Sequence, residues 1–132
     1  SGLFDLKTIS KSKIPWGLGS DIGAGPHLSM IDVMNSFVKQ QKLSGIASWS
    51  SAFFRATLAS ERILQKGHIR GSLLPGKEAN FIVLGGQRIS SLKNLPGEEV
   101  LKKVFSLTNK NRSLADKKIF ATFWRGKCLK NL

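Results

Sequence analysis

From Met30 to Val38 the apolar residues Met30, Val33, Met34, Phe37 and Val38 return every three or four positions, which places them on one stripe of a helix. Ser29 just before them, with Asp32 three residues on, makes a capping-box-like start, so a helix is predicted from Ser29 to about Gln41. A second is predicted from Ser50 or Ser51 to Lys66, burying Phe53, Phe54, Leu58, Ile63 and Leu64, with Gly67 placed to close it. Glu98 to Leu107 repeats the helical spacing through Val100, Leu101, Val104 and Phe105. Near the start, Leu3, Phe4, Leu6 and Ile9 suggest a short first helix stopped by the basic loop Lys11-Ser12-Lys13.

Elsewhere the apolar residues run without interruption, a pattern read as strand. Ile14 to Leu18 reads as a short buried strand, with Pro15 near its start, where a missing amide hydrogen does least harm, and Gly19-Ser20-Asp21 at its end. Asn80-Phe81-Ile82-Val83-Leu84 is a second such run, bounded by Gly85-Gly86 and preceded by a Pro75-Gly76 turn. Ile119 to Trp124, then Arg125-Gly126-Lys127, then Cys128-Leu129 reads as strand, tight turn and returning strand. The first part therefore has α/β character and the second is mainly β, with a boundary expected near Gly67; no internal repeat is visible.

A chain of 132 residues is enough for one ordinary core. Lys and Arg number 21 against 8 Asp and Glu, a net charge of +13, which raises nucleic acid or an acidic membrane surface as a partner. The basic residues are spread from Lys7 to Lys130, however, and nowhere alternate with aromatic residues as base-stacking surfaces require. A solvated basic surface is the preferred reading, and nucleic acid is disfavoured. Cys128 stands alone, which rules out an intrachain disulfide and an all-cysteine zinc site. No stretch approaches the roughly 20 apolar residues that span a bilayer, and the opening Ser-Gly-Leu-Phe-Asp has no signal-peptide pattern. A soluble, cytoplasmic protein without a membrane partner is expected.

The candidate chemistry centres on Asp21. A carboxylate held by a glycine-flanked turn at the C-terminal end of a buried strand stands where α/β barrels place catalytic groups. The same residue in a Gly-rich loop also serves simply to cap a turn, and the residues alone leave both readings open. Gly-Leu-Gly-Ser-Asp-Ile-Gly-Ala-Gly at 17–25, Leu-Ser-Met at 28–30, Gly-Ser-Leu-Leu-Pro-Gly-Lys-Glu-Ala-Asn-Phe-Ile-Val-Leu at 71–84 and Ile-Phe-Ala-Thr-Phe-Trp-Arg-Gly-Lys at 119–127 resemble the C-terminal part of a metal-dependent amidohydrolase. With the opening Ser-Gly-Leu-Phe, the chain is most similar to the guanine deaminases of that superfamily.

The resemblance implies an α/β fold, the C-terminal fragment of a (β/α)8 hydrolase barrel plus part of an adjoining small β-sandwich domain. Residues 1–67 would hold the last strand and helices of the barrel, and residues 68–132 the small β domain with one inserted helix. The alternative is a rearranged α+β single domain. It also implies that Asp21 is both zinc ligand and catalytic base in the complete enzyme, which converts guanine and water to xanthine and ammonia. The histidine ligands of the family lie on earlier barrel strands, and the two histidines here, His27 and His68, fall on none of those positions. Alone, the chain is expected to be inactive and not to bind zinc tightly. Its expected partners are a purine substrate, the missing N-terminal part of the barrel and, as an open option, further copies of itself. The competing function is a small basic nucleic-acid-binding or structural module derived from an amidohydrolase.

Other residues carry plainer expectations. His27 reads as a surface-loop histidine near the mouth of the site, and His68 as ordinary. Gly19, Gly23 and Gly25 let the chain turn, since no phosphate-cradling pattern is present. Trp16, Trp49 and Trp124 are expected to pack, and Cys128 to be an inert buried thiol. Asn80 stands where the superfamily generally has Asp, and 108–118 is expected to be a basic loop.

Overall fold

The computed structural model describes residues 4–85, 92–106 and 119–129. In chain order these form α1 (Leu6–Lys11), α2 (Met30–Gln40), a 3-10 turn (Lys42–Ser44), α3 (Trp49–Ala56), α4 (Leu58–Ile63), β1 (Phe81–Leu84), α5 (Gly97–Ser106), β2 (Ile119–Trp124) and β3 (Lys127–Leu129). The expectations placed on Leu3, Gly86, Leu107 and 108–118 fall outside the described residues.

Each early helix begins on a side-chain oxygen that satisfies an otherwise free amide. Asp5 starts α1 by accepting from the Thr8 amide (3.1 Å) and hydroxyl (2.7 Å). That hydroxyl is the main cause holding the Asp5 carboxyl below the usual carboxylate range. The Ser29 hydroxyl accepts from the Ile31 amide and starts α2 where the sequence places it. The stripe of α2 then buries Ile31, Met34 and Phe37, which form one core with Leu6 of α1, Ala52 of α3 and Phe105 of α5. Asn35 ties α2 to α5 by donating to the Phe105 carbonyl at 3.1 Å. Trp16 and Trp49 edge this core, 5.8 Å from Phe37 and 5.9 Å from Phe105 between ring centres.

The long helix predicted to Lys66 is two short ones. Thr57 leaves helical geometry (φ −124°, ψ −98°) and separates α3 from α4. The break changes which side chains face inward: Ala52 and Ala59 are buried, whereas Phe53, Ile63 and Leu64 are exposed, contrary to expectation. Small residues take the closest contacts, Phe54 and Leu58 are half-buried, and Phe53, Ile63 and Leu64 stay outside. Termination also comes earlier than Gly67. Gln65 adopts the left-handed conformation (φ 57°), while its amide and that of Lys66 return to the carbonyls of Arg62 and Glu61, a Schellman closure.

The β elements follow the sequence closely. Gly76, with φ 87° after Pro75, completes a turn closed by the Lys77 amide on the Leu74 carbonyl. The antiparallel order is β1-β2-β3, with Phe81 opposite Phe123 and Val83 opposite Ala121. Phe81 and Phe123 stack at 4.5 Å. Arg125 (φ 49°) and Gly126 (φ 76°) both take positive φ, the geometry of a type I′ hairpin. Asn80 braces that turn: its Oδ1 accepts from the Arg125 amide (2.7 Å) and its Nδ2 donates to Glu78 (3.0 Å).

Three further expectations are corrected. Ile14 to Leu18 is not a strand, because no strand lies beside it among the described residues; Ile14 is 63% exposed while Trp16 and Leu18 are half-buried against the helices. Cys128 is exposed, since β3 is an edge strand. Trp124 is about half exposed and does not pack as Trp16 and Trp49 do. Among the described residues no helix is long and apolar enough to cross a membrane.

Candidate functional site

Asp21 sits in the turn between residues 14–20 and α2. It takes positive φ (49°), and its carbonyl accepts from the amides of Ala24 (3.0 Å) and Gly25 (2.6 Å). This tight return explains one glycine in particular: a Cβ on Gly25 would lie 2.3 Å from the Ser20 carbonyl oxygen. Asp21 is exposed and His27 half-buried, and both line a cavity of about 420 Å³. Phe4, Trp16 and Phe37 give it an apolar wall, and Gln40 and Gln41 of the α2 end give it polar edges. That volume lies within the roughly 300–1,000 Å³ range of small-molecule pockets. Gln41 is itself buried and holds the Phe4 carbonyl at 2.7 Å, so the wall is fixed from both sides.

The segment leading to Asp21 is gripped by α3. The Arg55 carbonyl accepts from the Leu18 amide (3.0 Å), and Arg55 Nη1 donates to the Trp16 carbonyl (3.1 Å). The N-terminus of α3 is in turn held by a residue far away in sequence. Ser48 accepts from the Ser51 amide, and the Glu98 carboxylate takes the amides of Trp49 (2.7 Å) and Ser50 (2.8 Å) and the Ser50 hydroxyl (2.5 Å). Burial pushes the Glu98 carboxyl up, but the Ser50 hydroxyl and amide, the Trp49 amide and the Lys102 charge outweigh it and hold the group below its ordinary value. Sequence reasoning missed both Arg55 and Glu98.

Chemically the cavity offers one carboxylate and one imidazole. His68, the other histidine, is exposed and does not line it. Zinc takes three or four protein ligands, and among the described residues no group of three His, Cys, Asp or Glu side chains could hold a metal ion. The described residues therefore do not fit a zinc site by themselves.

A curated guanine deaminase of Escherichia coli (strain K12) is 41% identical to this chain over 85 residues, 64% of the chain and 19% of the relative. One from Dictyostelium discoideum is 25% identical over 112 residues, 80% of the chain and 25% of the relative. The solved structure of E. coli guanine deaminase matches 97% of the chain with a TM-score of 0.78 at 30% identity. The chain is guanine deaminase-like. Its likeness is thus to a hydrolase family, within the amidohydrolases, as the resemblance implied. The match takes in 30% of the solved chain, and the curated relatives are spanned over only 19% and 25% of their lengths. In this guanine deaminase-like frame the described part is a small α/β fragment with a three-stranded sheet. No protein-family model matches the chain.

Proposed function

We propose that this chain is the C-terminal portion of a zinc-dependent guanine deaminase-like aminohydrolase, and that Asp21 is its catalytic carboxylate. The observation that carries the reading is the structural match over 97% of the chain, with Asp21 at the mouth of a small-molecule-sized cavity. In the proposed assembly, strands from outside the chain pair with Ile14 to Leu18 and complete a barrel, while residues 68–132 belong to the small β domain. Asp21 takes a proton from the water that attacks the guanine carbon bearing the amino group. A C–O bond forms, the C–N bond breaks, and the carboxyl returns the proton to the departing nitrogen, giving xanthine and ammonia. The metal ligands other than Asp21 come from outside residues 1–132, so the chain alone is inactive. A cytoplasmic setting and self-association belong to the same proposal.

The test joins residues 1–132 to the part of E. coli guanine deaminase that the match leaves uncovered, and follows xanthine and ammonia from guanine. Deamination by the joined protein, with none from the chain alone, is the expected result. A joined protein that folds, takes up zinc and leaves guanine intact would contradict it.

A further inference from the structure

We infer that Arg55 is the positioning residue for Asp21, a role that rests on the catalytic reading of Asp21 given above. Arg55 of α3 holds the path of the segment that leads into the carboxylate, whatever strands pair with Ile14 to Leu18 in the proposed barrel. Arg55 grips that path at three points. Its Nη1 donates to the Trp16 carbonyl at 3.1 Å, its own carbonyl accepts from the Leu18 amide at 3.0 Å, and its guanidinium lies over the Trp16 ring at 4.1 Å.

The residue between the two gripped ones shows how close the approach is. A Cβ on Gly17 would stand 2.3 Å from the Ser60 hydroxyl and 3.3 Å from the Arg55 carbonyl oxygen. Ser60 fixes that carbonyl in turn, donating to it at 2.7 Å. Arg55 Nε is buried without a hydrogen-bond partner, so the guanidinium has lost water there and depends on the ring face and the Trp16 carbonyl. A cation is drawn more strongly to an aromatic face when desolvated. Lysine, with a compact ammonium and no planar fork, cannot reproduce both contacts.

Asp21 lies three residues beyond Leu18, and its own carbonyl is fixed by the amides of Ala24 and Gly25. The carboxylate is thus suspended between the Arg55 clamp and a closed turn. Releasing the clamp frees one end of that span while leaving the α1–α2–α5 core in place. Displacements of about 1 Å at a catalytic group cost up to about a hundredfold in rate.

Arg55→Met and Arg55→Lys test this in two settings. In the 132-residue chain the Leu18 amide keeps its bond to the Arg55 main-chain carbonyl, whereas the resonances of the Trp16 indole, which loses the stacked guanidinium, and of the Gly17 amide, which follows the released Trp16 carbonyl, should shift in both variants. Exchange at Gln41, whose amide bonds the Phe37 carbonyl at the end of α2, should stay within about threefold. In the joined deaminase of the preceding section, kcat should fall roughly ten- to a hundredfold with KM for guanine nearly unchanged, and lysine should not restore it. Exchange at Gln41 quickened well beyond that limit would mark a general stabilising role and overturn the assignment, as would unchanged Trp16 and Gly17 resonances or a loss confined to KM. Asp21→Asn in the same protein separates the two claims. If Asp21→Asn leaves activity intact, the catalytic reading fails and the positioning role with it; if Asp21→Asn abolishes activity while both Arg55 variants keep kcat, only the role of Arg55 fails.

Discussion

Removing the Glu98 carboxylate should loosen the junction between α3 and α5. In Glu98→Ala the amides of Trp49 and Ser50 and the Ser50 hydroxyl lose their acceptor together. Losing a capping acceptor costs about 0.5–2 kcal/mol, and a carboxylate at a helix N-terminus adds about 0.3–1 kcal/mol through the aligned peptide dipoles. Because Glu98 is only half-buried, full values for buried charged hydrogen bonds do not apply, and the expected loss is about 2 kcal/mol. Glu98→Gln should lose about half as much: its oxygen can still accept from Trp49, but its amide nitrogen then meets the Ser50 N–H. The folded-state pKa of Glu98 lies below the ordinary value of 4.5, so its contribution is complete above that pH and is lost as pH falls through the folded value. Urea unfolding of wild type and Glu98→Ala should therefore differ by about 2 kcal/mol from pH 8 to pH 5, and the difference should shrink below about pH 4.5. The depressed Asp5 is present in both proteins and cancels in the comparison. A difference under about 0.5 kcal/mol at pH 7, or one of equal size at pH 7 and pH 3, would refute the capping argument.

Two further substitutions probe the Asp21 turn and the hairpin. Gly25→Ala sets a Cβ 2.3 Å from the Ser20 carbonyl oxygen and 3.1 Å from that of Asp21, so the turn must open; a loss of about 1–3 kcal/mol in thermal unfolding, with shifted Asp21 and Gly25 amide resonances, is expected. Stability within about 0.5 kcal/mol of wild type would show that the turn yields freely. Asn80→Asp replaces the donor that meets Glu78 at 3.0 Å with a second carboxylate, and should cost about 1–2 kcal/mol in low salt and less in about 1 M salt, which screens the repulsion. A cost that does not change between those salt concentrations would count against the repulsion.

Local chemistry made some of this legible. Ser29 starts α2 and the Arg125-Gly126 pair makes the hairpin turn, because in both cases the turn-forming geometry comes from adjacent residues, with Asn80 only bracing the hairpin. What failed was non-local. The helix break at Thr57 lies inside an unbroken apolar pattern, and only the tertiary fit of Ala52 and Ala59 shows which face is inward. Ile14 to Leu18 has the composition of a buried strand, but strand pairing belongs to the neighbours as much as to the segment. Glu98 caps a helix that starts 49 positions earlier, beyond the reach of any capping motif. Asp21 was legible as a candidate from its glycines and its family resemblance, whereas Arg55 was not, because stacking on Trp16 links residues 39 apart.

The most direct test of the central claim is the guanine deamination rate of the joined protein carrying Asp21→Asn. Asparagine keeps the size of the side chain but cannot accept and return the proton, so kcat should fall by about a thousandfold or more while the variant remains folded. A rate within a few fold of wild type would show that Asp21 merely closes a turn.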